Sequence, residues 1–375
     1  MANLKVLMMG GRRCGKTSAL ASLFEQMIHG KINEFLTVCD KTVIDPTQPD
    51  APLQRKLMEI QHLMHKMGNN TFLADKNPNA SNWVYTIQLR MPGKSKGFEI
   101  DFIDTIGSFF TKGSAHYEQL CSYTEQCDIF VVIIDTPYLM AGSKLDAEIA
   151  NEIDGIQNFF AQITNREESK HKQVLFVPVK CEKWVKEGKI DDVVKTVEEY
   201  YDAIIKDLIA SNKTEISIIP IETAGDIIFA ELTYPYMLFD SRTYSQKICA
   251  KISDSEVRVA DGRIIEISED AILAEDPSAL YKFGNEISDI VRPNAWFKLR
   301  NEPQAAYTPH NCEQLILHIL RFSYNKMLAE RLCNGLSYFF SNLSLKNMQE
   351  ILDSLSQANL IKDSGEGIKI IKRCF

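Results

Sequence analysis

The stretch that decides the fold of this chain is Gly10-Gly11-Arg12-Arg13-Cys14-Gly15-Lys16-Thr17, which follows an apolar run at residues 3–9. It fits the pattern G-x-x-x-x-G-K-[ST], placed between a predicted buried strand and a predicted helix. Glycines let a backbone turn tightly and aim its N–H groups at phosphate oxygens, and a helix points its positive end at the same anion. The sequence therefore predicts a phosphate site made by Gly10, Gly11, Arg12, Arg13, Cys14, Gly15, Lys16, Thr17 and Ser18.

Each side chain of this loop has an expected role. We expect Lys16 to reach the β- and γ-phosphates, the Thr17 hydroxyl to ligate Mg²⁺, and Ser18 to add one further bond. Arg12 and Arg13 are interpreted as a solvated basic pair that attracts polyphosphate. The alternative is that one of them stabilises charge on the γ-phosphate during its transfer.

Strands and helices are predicted to alternate along the chain up to about residue 226. Apolar runs typical of strands occur at residues 84–91, 98–104, 129–135, 174–179 and 216–221. Helical spacing of apolar residues predicts one helix over 145–163 and another over 193–208. This alternation indicates an α/β fold of the P-loop NTPase class, a mostly parallel wound sheet with helices on both faces, which binds ligands at the carboxyl ends of its strands.

The chain is expected to have four parts. They are a nucleotide-binding domain at 1–226, an inserted small α+β or β region at 227–308, the final helix of the first domain at 309–343, and a C-terminal extension at 344–375. Residues 69–82 are polar and are expected to be mobile, and residues 292–311 are predicted to be a proline-rich link.

A second motif closes the predicted strand at 98–104. Asp104-Thr105-Ile106-Gly107 has the form Asp-x-x-Gly, an acidic residue at a strand end with a glycine three positions on. We expect Asp104 to hold Mg²⁺ through a water molecule and the Gly107 N–H to contact the γ-phosphate.

In this order, over residues 1–226, the motifs resemble those of Ras-like (TRAFAC-class) GTPases. That family recognises guanine with Asn-Lys-x-Asp after the fifth strand, and Val179-Lys180-Cys181-Glu182 occupies the matching place. The resemblance implies that Lys180 stacks along the base and that Glu182 accepts hydrogen bonds from the guanine ring N–H and amine. Val179 replaces the family's Asn, so one supporting hydrogen bond is lost.

The same resemblance assigns four further residues. Thr223 and Ala224 lie in the loop after the sixth strand, where the Ala224 N–H would meet the guanine oxygen. Thr71 is the expected second threonine ligand of Mg²⁺, with Thr42 and Thr47 as alternatives. Ser108 stands where many GTPases have the glutamine that orients the attacking water, which implies slow hydrolysis or a residue supplied from elsewhere.

A narrower resemblance rests on two segments. The loop Gly10–Ser18, together with Pro309-His310-Asn311-Cys312-Glu313-Gln314, is similar to the bacterial double-GTPase families associated with conflict systems. One phosphate loop is present in this sequence.

Composition narrows the possible partners and the compartment. The net charge of −8 disfavours a general nucleic-acid binder. Nine cysteines without a Cys-x-x-Cys pair, and without a preceding signal peptide, indicate free thiols in a reducing cytoplasm. No apolar run approaches the ~20 residues of a membrane helix, so no membrane span is predicted.

These observations predict a Mg²⁺-dependent GTP/GDP-binding protein that hydrolyses GTP as a switch and is sensed by an unknown protein partner. Two alternatives stay open. One is a P-loop ATPase or kinase. The other is a catalytically weak interaction module that binds nucleotide for structure, which Ser108 and Val179 favour.

Overall fold

The structure is a computed structural model of the chain. It describes residues 4–42, 52–67, 72–73, 83–93, 97–105, 120, 122–123, 126–166, 171–240, 245–253, 255–259, 263–267, 271–275, 280–283, 286–291, 293–300, 305–334 and 342–375.

A large sheet forms the centre of the molecule. Its strands are β1 (Leu4–Met9), β2 (Thr37–Asp40), β4 (Trp83–Arg90), β5 (Phe98–Asp104), β6 (Ile129–Asp135), β7 (Lys172–Val179), β8 (Thr214–Ile218), β18 (Ser364–Gly365) and β19 (Ile368–Lys372). Among the described residues the strand order is β18-β19-β8-β7-β6-β1-β5-β4-β2. The five central strands are parallel, and they are β5, β1, β6, β7 and β8. The outer strands β4, β2 and β19 are each antiparallel to the strand on their inner side.

Helices cover both faces of this sheet. They are α1 (Lys16–His29), α2 (Pro52–Met67), α3 (Thr136–Ala141), α4 (Lys144–Asn151), α5 (Ile153–Arg166), α6 (Glu182–Lys186), α7 (Ile190–Tyr200), α8 (Asp202–Ala210), α9 (Cys312–Asn334) and α10 (Asn342–Gln357), with a short 3₁₀ helix at Lys31–Glu34. Helices α1, α9 and α10 bury apolar side chains on one face, and α5, α7 and α8 do so on the other. Strands β6 and β7 are buried along their whole length because both faces are covered. The predicted mostly parallel α/β fold is confirmed.

Two predicted helices are each divided. Residues 145–163 form α4 and α5, since Glu152 between them adopts a left-handed φ of 52° that ends the first helix. Residues 193–208 form α7 and α8, separated at Tyr201, whose φ is −103°. The prediction of one continuous helix was wrong in both places, because the apolar spacing continues across each break while the backbone does not.

The strands that follow β8 in the chain, together with β3 (Phe72–Leu73), form small antiparallel sheets. The strands after β8 in these sheets are β9 (Ile227–Thr233), β10 (Pro235–Asp240), β11 (Ser245–Lys251), β12 (Glu256–Val259), β13 (Ile264–Glu266), β14 (Ala271–Glu275), β15 (Leu280–Phe283), β16 (Glu286–Val291) and β17 (Asn294–Leu299). In the described part of the chain they form the sheets β13-β12-β11-β10-β14, β15-β16 and β3-β17-β9.

The third small sheet corrects one expectation. Residues 294–299 were predicted to lie in a proline-rich link, but they form β17, which pairs with β9 and with β3. The strand is anchored by Trp296, which is wholly buried and whose Nε1 donates to Thr233 Oγ1 at 2.6 Å. Strand β3 comes from the segment 69–82.

The sequence also led to expectations about the cysteines and about membrane-spanning helices. The cysteines described as free thiols are Cys14, Cys39, Cys127, Cys181, Cys249, Cys312 and Cys374. Within the part of the chain that the structure describes, no helix combines the length and apolar character that a membrane crossing demands.

Candidate functional site

The phosphate loop leaves β1 at Gly10 and enters α1 at Lys16. Gly10 has a φ of 143°, and a Cβ there would lie 2.5 Å from the carbonyl oxygen of Ile133 in β6. Gly15 precedes the helix with a φ of 105°. Side chains rarely adopt either conformation, so both positions require glycine and the turn stays narrow enough to expose backbone to an anion.

The side chain of Lys16 folds back over this loop. Its Nζ donates to the carbonyl oxygens of Gly10 at 3.0 Å and Gly11 at 3.1 Å. The residue is 8% exposed, so its charge lies inside the turn. The same Nζ lies 3.8 Å from the Cys14 sulfur, and burial raises the pKa of that thiol. The loop thus holds a cation at its centre with a neutral thiol beside it.

The amino end of α1 is suited to an anion. Among the described residues, no side chain caps this end by a hydrogen bond, and the first turn contains no acidic residue. The positive end of this 14-residue helix therefore lies behind the loop without an acidic residue in its own first turn. Arg12 and Arg13 on the outer side of the loop are both exposed, and Ser18 is half-buried.

A threonine and an aspartate meet beside the lysine. The Thr17 hydroxyl donates to Asp104 Oδ2 at 2.7 Å. Asp104 is the last residue of β5 and is paired in register with Met8 of β1, two residues before Gly10. It is 4% exposed, and burial raises its pKa while Lys16 and Thr17 oppose that rise. The parallel pairing of β1 and β5 therefore places a carboxylate at the foot of the phosphate loop.

Tyr85 of β4 extends this pair, and sequence analysis did not identify it. Its hydroxyl is hydrogen-bonded with Thr17, and burial and the nearby Asp104 both raise its pKa. The hydrogen bond with Thr17 opposes this rise. Nothing in the strand pattern of residues 84–91 distinguishes this tyrosine from an ordinary core residue.

Lys180 lies at the carboxyl end of β7, beside the loop. Its Cε lies 3.5 Å from the position that a Cβ on Gly15 would take. Its Nζ donates to Asp135 Oδ2 at 2.7 Å and lies 5.7 Å from the centre of the Phe297 ring in β17. Asp135 is the last residue of β6 and is wholly buried. Sequence analysis missed it, although a carboxylate that ends an otherwise apolar strand at the ligand-binding edge was the available signal.

The groups expected to contact guanine also meet, and they contact one another. Glu182 Oε1 accepts from the Ala224 N–H at 2.7 Å and from the Thr223 hydroxyl at 3.4 Å. Glu182 is 2% exposed, and burial raises its pKa to about 7.

The loop that contains Ala224 is held by hydrogen bonds to α1 and to the residues just before α9. The Ser22 hydroxyl of α1 lies 2.5 Å from the Thr223 carbonyl oxygen and 2.8 Å from the Tyr307 hydroxyl. Glu222 and His310 exchange two backbone hydrogen bonds of 3.0 Å. The start of α9 is therefore joined to the loop after β8.

Some predicted positions fall elsewhere. Gly107, Thr71, Ser108 and Thr47 lie outside the described residues. Thr42 is described, and its hydroxyl donates to Asp40 Oδ1 at 2.5 Å at the end of β2.

The side chains that are present fit a nucleotide phosphate and a hard divalent cation. A hydroxyl and a carboxylate are oxygen ligands of the kind that Mg²⁺ takes together with phosphate oxygens. Among the described residues no group of three or more His, Cys, Asp or Glu is arranged to hold a metal ion. Thr17 and Asp104 would therefore hold Mg²⁺ jointly with the phosphates, and not as a separate protein cage.

Comparison with known proteins adds two distant structural neighbours. No family model matches the chain, and no curated protein sequence matches it. One neighbour is a signal recognition particle receptor complex, SRb-GTP/SRX, from Chaetomium thermophilum, with 10% identity, a TM-score of 0.35, and coverage of 60% of this chain and 93% of that one. The other is Roco2 RocCORdC of Methanosarcina barkeri bound to GDP, with 13% identity, a TM-score of 0.23, and coverage of 60% of this chain and 44% of that one. At this degree of similarity, function has to be argued from the site.

Proposed function

We propose that this chain is a Mg²⁺-dependent guanine-nucleotide-binding protein that hydrolyses GTP and signals its nucleotide state to a protein partner. The observation that supports this most strongly is the convergence at one sheet edge. Lys16 lies inside a glycine turn at the amino end of α1, and the Thr17–Asp104 pair lies directly beside it. In this arrangement backbone amides and Lys16 would bind the phosphates. Thr17 and Asp104 would hold Mg²⁺, which when bound neutralises charge on the β- and γ-phosphate oxygens.

Base recognition is the second part of the proposal. Lys180 lies beside Gly15, and Glu182, at the start of α6, contacts Thr223 and Ala224 in the loop after β8. A carboxylate acceptor and a backbone N–H donor match the guanine ring edge, which presents two donors and one acceptor. Adenine presents an amine where guanine has its oxygen, so the same groups would oppose it.

Gly107, Thr71 and the double-GTPase assignment belong to the same proposal. The segment at 309–314, one of the two on which that resemblance rests, is bridged to the loop after β8 through His310 and Glu222. A protein partner and a cytoplasmic location complete the proposed switch.

Nucleotide titration tests the proposal directly. Fluorescent GDP, GTP and ATP would be titrated in Mg²⁺ against the wild type, Lys16→Ala and Lys144→Ala, whose lysine is exposed and pairs with Glu148 on the surface. We expect guanine nucleotides to bind more tightly than ATP and binding to be lost in Lys16→Ala alone. Equal affinity for ATP would favour the P-loop ATPase or kinase.

Hydrolysis needs a separate measurement. Single-turnover phosphate release from GTP would be followed with the wild type and Lys16→Ala. Lys16-dependent release supports the GTPase. Binding without release, with and without candidate partners, would favour the interaction module.

A further inference from the structure

The guanine-recognition groups satisfy each other's hydrogen bonds. The Ala224 N–H has a single hydrogen, and that hydrogen is directed at Glu182 Oε1 over 2.7 Å. Guanine recognition, as proposed above, requires this same N–H for the ring oxygen and this same carboxylate for the ring N–H and amine. The two arrangements exclude one another.

The loop cannot yield easily, because it is attached to the core. Thr223 is bonded through its carbonyl to Ser22, which is wholly buried. A Cβ on Gly225 would lie 2.5 to 2.7 Å from three atoms of Thr308, so the loop also packs closely against the segment before α9. The Glu182 side chain is therefore the part that must move when a base enters.

Side-chain length explains why the competing bond exists. Glu182 begins α6, and its carboxylate reaches across to the loop after β8. Aspartate, the residue of the resembling motif, is one methylene shorter and would leave the Ala224 N–H available. From this geometry we infer that Glu182 is a self-inhibiting specificity residue, which occupies the guanine-oxygen site until nucleotide displaces it.

This inference rests on the proposed function and makes a prediction opposite to that of a simple contact residue. Shortening the side chain should strengthen binding. In Glu182→Asp the charge-assisted hydrogen bond to the Ala224 N–H would be absent and would not have to be broken when GDP binds. We therefore expect Glu182→Asp to bind GDP about tenfold more tightly than the wild type does. Glu187→Asp, an exposed position at the end of α6, is the matched control and should bind like the wild type.

Three nucleotides locate the effect on Ala224. Inosine diphosphate keeps the ring oxygen and lacks the exocyclic amine, so it should show the same gain as GDP. ADP lacks the oxygen and should show none. Competition against a fluorescent GDP analogue at fixed Mg²⁺ gives all three ratios with one probe.

The outcomes separate the inference from the proposed function. If the wild type binds GDP through Lys16 and Glu182→Asp binds equally or more weakly, the inference is overturned and the proposed function stands. A gain of equal size for ADP would also overturn it, because the effect would not involve the guanine oxygen. If neither protein binds GDP, both fall. Detectable binding only in Glu182→Asp would support both.

Discussion

The ammonium group of Lys180 lies 2.7 Å from the carboxylate of Asp135, a wholly buried residue at the end of the neighbouring strand. Asp135 itself is held by Asn151, whose Oδ1 accepts from the Asp135 N–H at 2.6 Å. This ion pair connects the segment that follows β7 to the end of β6.

Asp135→Asn should lower the affinity for GDP about fivefold to tenfold, because Lys180 loses the charge that fixes its position. The measurement is a double-mutant cycle with Lys180→Ala, using the dissociation constant for GDP. In the Lys180→Ala background the Asp135 change should have little effect. Equal losses in both backgrounds would show that Asp135 does not act through Lys180.

Tyr85→Phe should weaken the binding of Mg²⁺ at Thr17 without altering the loop that would bind the phosphates. Removing the hydroxyl that is hydrogen-bonded with Thr17 leaves the threonine side chain less firmly held, at a cost of about 1 kcal/mol, or roughly fivefold. We expect the Mg²⁺ concentration that half-maximally slows GDP release to rise about fivefold, with GDP affinity in a chelator unchanged.

The control for that change is Tyr138→Phe. Tyr138 is also buried, and its hydroxyl donates to the Pro293 carbonyl oxygen at 2.7 Å, away from Thr17. An equal shift in both variants, or a loss of affinity in the chelator, would contradict a role in positioning Thr17.

Glu182 should make the stability of the nucleotide-free protein depend on pH. Its pKa is raised by burial to about 7 from an ordinary value of 4.5, so between these values the folded state keeps a proton that the unfolded state has released. The stability that this group contributes is therefore present below pH 4.5 and is lost as pH rises to about 7.

Thermal unfolding of the wild type and Glu182→Gln, measured from pH 5 to pH 7.5, checks this. Glu222, Tyr307 and Cys312 also interact electrostatically with Glu182, so the difference between the two proteins reports the Glu182 titration together with its coupling to these groups. The wild type should lose stability relative to Glu182→Gln over this range. Parallel curves would mean that the carboxyl titrates normally.

Trp296→Ala should unfold the small sheet that contains β17. The ring is wholly buried, and its loss leaves a large cavity and an unpaired Thr233 hydroxyl, for about 3–5 kcal/mol of destabilisation. Denaturant unfolding gives the value, and Lys298→Ala, exposed on the same strand, should change it by less than about 0.5 kcal/mol. A small effect of Trp296→Ala would indicate that the sheet does not depend on this contact.

How far the sequence predicts this molecule depends on the range of the interaction. The turn from Gly10 to Lys16 and the parallel strands were predictable, because glycines at fixed spacing and continuous apolar runs are local signals. Asp104 beside Thr17 was predictable as well, since a motif in known order specifies which strand ends meet.

Contacts set by strand register were not predictable. Asp135 meets Lys180 because Asp135 and Val179 are paired across β6 and β7, and no local pattern encodes that pairing. Strand β17 was missed because Pro293 and Pro303 flank it, and prolines at the ends of a short strand give the same local signal as prolines within a link. The Glu182–Ala224 bond depends on the length of one side chain across a gap that only the folded loops define.

The pairing of β19 with β8 has a consequence for biosynthesis. Strand β8 ends at Ile218, and the strand that covers its outer side ends at Lys372. While the ribosome makes the intervening chain, β8 presents unpaired backbone groups to other nascent chains. Closing this edge late, across a long sequence separation, should make it the slowest step of assembly and the step at which chaperones are most needed.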